Sequence, residues 1–520
     1  MRPTSHATAH PSHGALTLLV ATLVAALGLG LVLARPPATS GTDAAIGHLV
    51  VLDGTTAADG SFQVGGSDAL HLAAARSIVA AAGATIDVDL SDQIGVLLVR
   101  ATPQMAAAIS TSGLVLEAAP DFAWKALPGY DEAIASGQLT VLAPDRVPDG
   151  GPEQTADPLE SLQWDMAQIR AAEAHEVQAG GRSVDVGILD TGIDATHPDF
   201  LIDGGGTNVD CARGRNSIVF VPLGPGVGTP IPCSDNGFHG THVAGTVAAQ
   251  ANGIGVVGVA PNATLVPVKV CDSSGFCYAS AVVDGITYAG DQRLDVINMS
   301  FFVDDDAFQE STEFKCSSDE TQNAFRIAVE RALKYAVKRG VAPVAALGNS
   351  DQDLAHPVDD GGQPISNECE VVPAESDGVI GTVALGNQSE KAGYSNYGGG
   401  AADVSAPGGN GTNGDCLTTI LSTLPGGGYG CIQGTSMASP HAAGVAALIV
   451  SQFGKASRDG DVKLAPKRVQ DLIQATAVDI GLAGYDECFG HGRIDALRAV
   501  TGDTSAMADP SAPHCPEYAD

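Results

Sequence analysis

Basic residues are scarce in this 520-residue chain: 26 Lys and Arg stand against 60 Asp and Glu, a formal charge of −34 at pH 7. That balance argues against non-specific binding to nucleic acid or to an anionic membrane surface, because like charges repel. Long apolar runs are scarce too. After Ala15 to Ala34 no second run of that length occurs, which excludes a multi-span membrane protein. Cysteine is missing before residue 211 and no CxxC pair exists anywhere, so the usual zinc-binding spacings have no ligands. Aromatics make up 5% and charged residues 17%, yet hydrophobic residues reach 44%. A chain of that kind builds a core rather than staying disordered. With 64 glycines and 29 prolines it also turns often, without a collagen-like repeat. The length allows about three domains, or one large domain with additions.

The first segment reads as an address. Residues 1–14 carry one cation, Arg2, and no acid; Ala15 to Ala34 is uncharged and almost wholly apolar. This resembles a secretory signal over residues 1–34, with small residues at Val32 and Ala34 before a cleavage point. The run is also long enough to span a bilayer as an anchor. Arg35-Pro36-Pro37 then opens a polar, turn-rich stretch, which favours cleavage. All ten cysteines lie between Cys211 and Cys515. In an exported chain an even count reads as five disulfides, drawn from about 945 pairings. Pairing of sequence neighbours gives Cys211–Cys233, Cys271–Cys277, Cys316–Cys369, Cys416–Cys431 and Cys488–Cys515. Buried free thiols are the other reading.

Residues 43 to 125 carry a pattern of their own. Leu49 to Leu52 is a strand candidate closed by Asp53-Gly54, and Leu70 to Ala82 is Ala-rich at helical spacing. Ile86 to Leu90 and Ile94 to Val99 suit a hairpin around Ser91-Asp92. Pro103 to Ile109 reads as a helix opened by proline, and Gly113 to Glu117 as a last strand. The order is that of a split βαβ unit. Such a unit could bind a ligand independently. Its place after a signal, without cysteine and ahead of the motifs below, points instead to a prosegment over 35–125. Pro-, Asp- and Gly-rich residues 126–155 are expected to be a linker.

From residue 156 apolar strands and helices alternate, the pattern of a mainly parallel α/β sheet. Strands are expected at Val184 to Leu189, Leu265 to Val270, Leu294 to Met299 and Val341 to Leu347. Helices are expected at Gly240 to Ala249, Ala279 to Ala289, Ala324 to Lys338 and Met437 to Gln452.

Three motifs carry chemistry. Gly187-Ile-Leu-Asp-Thr-Gly-Ile-Asp194 delivers Asp190 from a strand end into a glycine turn. Phe238-His-Gly-Thr-His-Val-Ala-Gly245 opens a helix on His239. By spacing alone His239 and His242 share a helix face and could hold a metal, though His242 is expected to be internal. Gly434-Thr-Ser-Met-Ala-Ser-Pro440 places Ser436 at a helix N-terminus, where backbone N–H groups can hold an oxyanion. Each motif alone is weak. Together, in the order Asp190, His239, Ser436, they resemble the subtilisin-like serine proteases, or subtilases.

The resemblance covers roughly residues 157 to 500. It implies an α/β fold with a mainly parallel sheet and helices on both faces, as a catalytic domain over 156–505 before a tail at 506–520. It implies that Ser436 is the nucleophile, His239 its base and Asp190 the residue that orients the base. Asn349, in Ala345-Ala-Leu-Gly-Asn349, matches the oxyanion donor. Ser439 is expected to satisfy local backbone groups. Where the family has Ser followed by Leu-Gly-Gly, this chain has Ser300-Phe301-Phe302-Val303 and then Asp304 to Asp306. Ser300, Phe301 and Phe302 are therefore expected to line and reshape the substrate cleft. A structural calcium ion is implied through Asp199, Asn252 and the backbone of Ile254 and Val256, an oxygen set that calcium favours.

The expected protein is thus a secreted, extracellular serine endopeptidase made as a self-processing precursor. Its partners would be protein or peptide substrates and its own propeptide as inhibitor, with no nucleic acid and no stable membrane association after signal cleavage. Two alternatives stand: a membrane-anchored processing protease, and a non-catalytic binding protein with a protease fold.

Overall fold

The computed structural model describes residues 45–56, 62–64, 68–142, 157–202, 204–218, 232–303, 320–357, 364, 370–411, 415–456 and 462–509. The expected signal segment 1–34, Asp304 to Asp306, Cys316, Cys369 and Cys515 lie outside these residues, as do 143–155 of the expected linker.

Residues 45–120 form a four-stranded antiparallel sheet with two longer helices, a one-turn helix at Ser91–Ile94 and a small hairpin of Gly54–Thr56 with Phe62–Val64. The elements are β1 (Ile46–Leu52), α1 (Asp68–Ala81), β2 (Thr85–Leu90), β3 (Val96–Ala101), α2 (Pro103–Ser110) and β4 (Val115–Pro120). The spatial order is β2-β3-β1-β4, so the first strand sits inside the sheet. Strand, helix, strand, strand, helix, strand is the order expected from the sequence, except that Ser91–Ile94, expected as a hairpin turn leading into a strand, form a helical turn, and a small hairpin follows the first strand. Thr102 caps α2 by accepting from Met105 N–H, and Pro103 follows at the first turn, where its missing N–H costs nothing. One face of the sheet and the helices close a small core around Val50, Leu52, Leu97, Val99 and Ile109.

The larger body is built on seven parallel strands. These are β7 (Asp185–Asp190), β8 (Arg215–Asn216), β9 (Thr264–Lys269), β11 (Val296–Met299), β12 (Ala342–Ala346), β13 (Ile380–Leu385) and β14 (Val404–Pro407). Their order is β8-β9-β7-β11-β12-β13-β14. The strands are apolar almost throughout, as a sheet covered on both faces requires. On one face lie α4 (His239–Ala248) and α7 (Thr435–Phe453), which share a core with Val186, Ile188 and Val344. On the other lie α5 (Ala279–Gln292) and α6 (Glu320–Lys338), packed on Leu189, Ile297 and Met299. Asp190 at the end of β7 therefore meets the start of α4, and Ser300, just past β11, meets the first turn of α7. Close approach decides one glycine: a Cβ on Gly240 would sit 2.1 Å from the Gly192 carbonyl, so nothing larger lets α4 meet the turn after Asp190.

Two expectations need correction. Residues 126–142 are not an open linker. The strand β5 (Ala123–Lys125) runs into them, and they contain a helix, α3 (Tyr130–Ala135), and a short strand, β6 (Thr140–Val141). Ala133 and Leu139 are buried in the core shared by α4 and α7. The Pro- and Gly-rich composition reported turns correctly but hid two apolar anchors between them. The C-terminal boundary also moves, because Met507 O accepts from Asp479 N–H (2.8 Å) and Asp509 N–H reaches Asp479 O (2.9 Å).

Three expected disulfides are present: Cys211–Cys233, Cys271–Cys277 and Cys416–Cys431. Cys488 is disulfide-bonded too, and no described cysteine is free.

Candidate functional site

Asp190 ends β7 fully buried, and His239 begins α4 with 2% exposure. His239 Nδ1 lies 3.0 and 2.9 Å from the two carboxylate oxygens of Asp190. A carboxylate only accepts, so Nδ1 carries the hydrogen and Nε2 is left as the acceptor. Thr191 N–H donates to Asp190 Oδ1 at 2.7 Å, which fixes the carboxylate plane.

A residue that the sequence reading missed holds this corner. Asp235 accepts from Thr191 Oγ1 (2.8 Å), from the N–H groups of Gly237 and Phe238 (2.9 Å each), and from Thr241 N–H (2.9 Å) and Oγ1 (2.7 Å). Five donors on one buried carboxylate tie the start of α4 to the turn after Asp190. Asp-Asn-Gly directly before the His motif is a turn signal that could have revealed it. Lys269 is buried beside this cluster, donating to the Thr191 carbonyl and to Asn236 Oδ1, and burial lowers its pKa.

His242 does not join His239. Its Nε2 faces the carbonyls of Ile420 and Gly430 at 3.2 Å, and burial pushes its pKa down to about 3. It is a neutral internal histidine, with its ring turned to acceptors rather than toward a shared metal.

Ser436 is the second residue of α7, 6% exposed. Its hydroxyl donates to the Ser300 carbonyl at 3.0 Å, and no hydrogen bond joins it to His239. Ser300 Oγ in turn donates to the Ser436 carbonyl (2.8 Å) and meets Asn298 Nδ2 (2.8 Å) and Ser439 Oγ (2.9 Å). Two N–H donors remain beside this serine. Asn349 Oδ1 accepts from Thr435 N–H and Oγ1, both at 2.9 Å, which leaves Nδ2 outward and without a partner among the described residues. A methyl group built on Gly434 would lie 3.6 Å from Ser436 N and 3.7 Å from Asn349 Nδ2. Both donors thus edge one small space at the N-terminus of a 19-residue helix, where partial positive charge gathers.

The expected cleft residues divide. Ser300 is fully buried and serves the packing under Ser436. Phe301 is 1% exposed and belongs to the core beneath α5 and α6, with Trp124 at 6.3 Å between ring centroids. The chain alternates as it leaves β11, which turns this side chain inward, so Phe301 does not shape a pocket by direct contact. Phe302 lies near Gly348, the residue before Asn349: a Cβ built on that glycine would meet its ring at 3.4 Å.

A strand of the N-terminal unit lies along this edge. β5 pairs antiparallel with β10 (Phe276–Tyr278), Trp124 opposite Cys277. Ala126 N–H and Leu127 N–H both reach the Gly275 carbonyl at 3.1 Å, and Trp124 Nε1 donates to the Phe302 carbonyl at 2.9 Å. Residues 123–127 therefore lie between β10 and the Ser300–Phe302 segment. The Cys271–Cys277 bridge closes the turn behind β10.

At the expected calcium loop, Asp199 is fully buried and accepts from Val256 N–H (2.9 Å) and Tyr429 Oη (2.8 Å). Burial pushes its carboxyl up to about 7. Asn252 Oδ1 accepts from Ile254 N–H at 3.1 Å. The same loop meets Asp157, which accepts from Asn252 N–H (3.2 Å) and Ile254 N–H (3.0 Å) and was not singled out by the sequence reading. Neither carboxylate pairs with a basic side chain among the described residues. Two acids and an amide oxygen are oxygen donors of the kind that calcium favours.

A family model described as the subtilase family matches residues 181–492. The chain is 34% identical to subtilisin NAT of Bacillus subtilis subsp. natto over 341 residues, 66% of this chain and 72% of that protein. It is 37% identical to an alkaline protease of Alkalihalobacillus alcalophilus over 341 residues, 66% and 70% of the two chains. Among solved structures, the epidermin leader peptide processing serine protease of Staphylococcus aureus matches with a TM-score of 0.62 at 21% identity, covering 88% of this chain and 98% of that one. That last likeness is one of fold. No helix among the described residues is long and apolar enough to cross a membrane.

Proposed function

Because this chain belongs to the subtilase family and is a serine endopeptidase, we propose that Asp190, His239, Ser436 and Asn349 carry its reaction through an acyl-enzyme. The observation that carries this reading is the buried Asp190–His239 pair, which leaves Nε2 as the open acceptor while α4 packs against the helix opening on Ser436. Rotation about χ1 frees the Ser436 hydroxyl from the Ser300 carbonyl, and its proton passes to Nε2 as Oγ bonds to the substrate carbonyl carbon. The imidazolium that forms is stabilised by Asp190, which stays ionised. The oxyanion takes the space edged by Ser436 N–H and Asn349 Nδ2, where donors already in place need no reorganisation. His239 then gives its proton to the leaving amine, and water repeats the sequence to release the acid. Cleavage of an unfolded protein substrate by the purified chain, lost with the Ser436 hydroxyl, tests this. An active protein indifferent to that hydroxyl would refute it.

Residues 35–125 act as an inhibitory prosegment removed by self-cleavage after residues 1–34 have directed export. Support comes from β5, whose pairing with β10 resembles the way an extended substrate would add a strand. The grip has a pH dependence with a definite sign. Asp121, just before β5, accepts from Ser280 N–H (2.9 Å) and Oγ (2.6 Å) at the start of α5. Burial pushes its carboxyl up to about 6, from 3.8 when free. A value raised in the bound state means the protonated form favours the complex. This contribution is whole below pH about 4 and lost as pH rises through about 6, weakening affinity on the order of a hundredfold. More cleaved prosegment should co-elute with the enzyme at pH 5 than at pH 7.5, and Asp121→Asn should flatten the difference. Tighter retention at pH 7.5 would contradict the sign.

Asp157, Asp199 and Asn252, with the carbonyls of Ile254 and Val256, would hold a structural calcium ion that neutralises two buried acids. Chelation should lower the Tm of the native chain by several degrees, and Asp199→Asn should remove most of that response. A Tm indifferent to both chelator and calcium would refute the site.

A further inference from the structure

We propose that residues 129–142 are a strap that stays on the mature enzyme, with the maturation cut N-terminal to it, and that the strap holds Phe238 in place ahead of His239. The proposal rests on reading the preceding segment as a removable prosegment, and it divides the chain differently from composition. Residues 45–120 have a core of their own and lean on α5 and α6 through one face of their sheet. The strap has none. Ala133, fully buried, and Leu139, 2% exposed, sit in the same core as Val243, Val247 and Ile432.

Backbone bonds continue the same body. β6 is the third strand of a sheet with β15 (Ile420–Leu424) and β16 (Gly428–Ile432), Thr140 opposite Cys431. Leu142 N–H extends the pairing to the Tyr429 carbonyl at 2.9 Å. The fit is close, because a Cβ on Gly430 would lie 3.0 Å from Leu139 Cδ1 and 3.1 Å from the Thr140 carbonyl. Removing residues 129–142 would bare an edge strand and open the core that positions α4 and α7; removing 45–120 would bare only the outer faces of two helices. Pro128 marks the division, where the chain leaves the groove beside β10 and turns toward α3.

The strap also touches the site. Phe238 has φ of 104°, a conformation that non-glycine residues avoid, and it is 1% exposed. Its ring lies 5.6 Å from the ring of Tyr130, the first residue of α3, and 6.2 Å from the imidazole of His239. Together with the Asp235 bond to its N–H, this cover holds a strained residue directly before the base.

Maturation hydrolyses one peptide bond with one water. Mass spectrometry and N-terminal sequencing of the processed wild-type chain should place the new N-terminus at or before Gly129; one within residues 130–142 or beyond would overturn the proposal. A second readout does not depend on activity. In the unprocessed Ser436→Ala chain, the amides of Leu139 and Leu142 should exchange hydrogen as slowly as those of α7, and exchange as fast as an exposed loop would overturn it. Failure of the catalytic reading would appear separately, as a wild-type chain that neither processes nor cleaves peptide while this protection persists. Tyr130→Ala should lower kcat several-fold with KM for a short peptide little changed. An unchanged kcat would refute the positioning role.

Discussion

Ser436→Ala should yield a folded chain that keeps residues 45–120 attached and cleaves no peptide. The loss should be on the order of 10⁶ in kcat, a figure that comes from a subtilisin and is therefore inherited from the family rather than independent of it. The fold should survive because the hydroxyl makes a single hydrogen bond, to the Ser300 carbonyl. Losing that bond costs about 1 kcal/mol, small beside a domain stability of about 5–15 kcal/mol. Residues 123–127 should stay paired with β10 and bonded to the Phe302 carbonyl, since neither contact involves the Ser436 hydroxyl. Processing in the absence of any other protease, or turnover near the wild-type rate, would contradict the assignment.

Asp190→Asn should be nearly as damaging, through proton placement rather than shape. Thr191 N–H requires an acceptor at the Oδ1 position, 2.7 Å away, so the amide oxygen of the new side chain stays there. The amide nitrogen must then take the place of Oδ2, 2.9 Å from His239 Nδ1. An NH₂ group donates and cannot accept; the amide oxygen still lies 3.0 Å from Nδ1, but the new donor at 2.9 Å favours the tautomer in which Nδ1 accepts and the ring hydrogen sits on Nε2. The imidazole keeps its position and loses its function as a base. Mutation of the corresponding residue in another serine protease gives about 10⁴ in kcat, which sets the scale expected here. KM should change little, and the Tm should stay within a few degrees of wild type. A loss carried mainly by KM, or an unfolded variant, would mean that Asp190 serves architecture first.

The candidate residues could be named from sequence because each sits inside a short word fixed by local geometry. An aspartate at a strand end before glycine, a histidine opening a small-residue helix and a serine opening a buried one all came together at the C-terminal ends of the central strands. Sheet order was not legible, because β13 and β14 are short apolar runs in a glycine-rich stretch with no periodicity to mark them. Asp235 escaped because its role is five hydrogen bonds to backbone and hydroxyl groups, none of which leaves a residue pattern at a distance. Phe301 was misplaced for a related reason: sequence fixes that it follows Ser300 but not which way the chain turns after β11. Residues 126–142 show the limit of composition. Pro128, Gly129 and Gly137 correctly announce turns, while Ala133 and Leu139, the two side chains that bind the segment to the core, look ordinary in sequence.

The central claim is that one serine hydroxyl, activated by the Asp190–His239 pair, attacks peptide carbonyls. A peptidyl phosphonate ester measures this directly, since it bonds only to an activated nucleophile and stays there. Peptide mapping by mass spectrometry after incubation of the processed chain should find one adduct, on Ser436, with activity lost in proportion to its formation, and no adduct in the Asp190→Asn chain over the same time. An active, unlabelled protein, or an adduct on any other residue, would contradict the account.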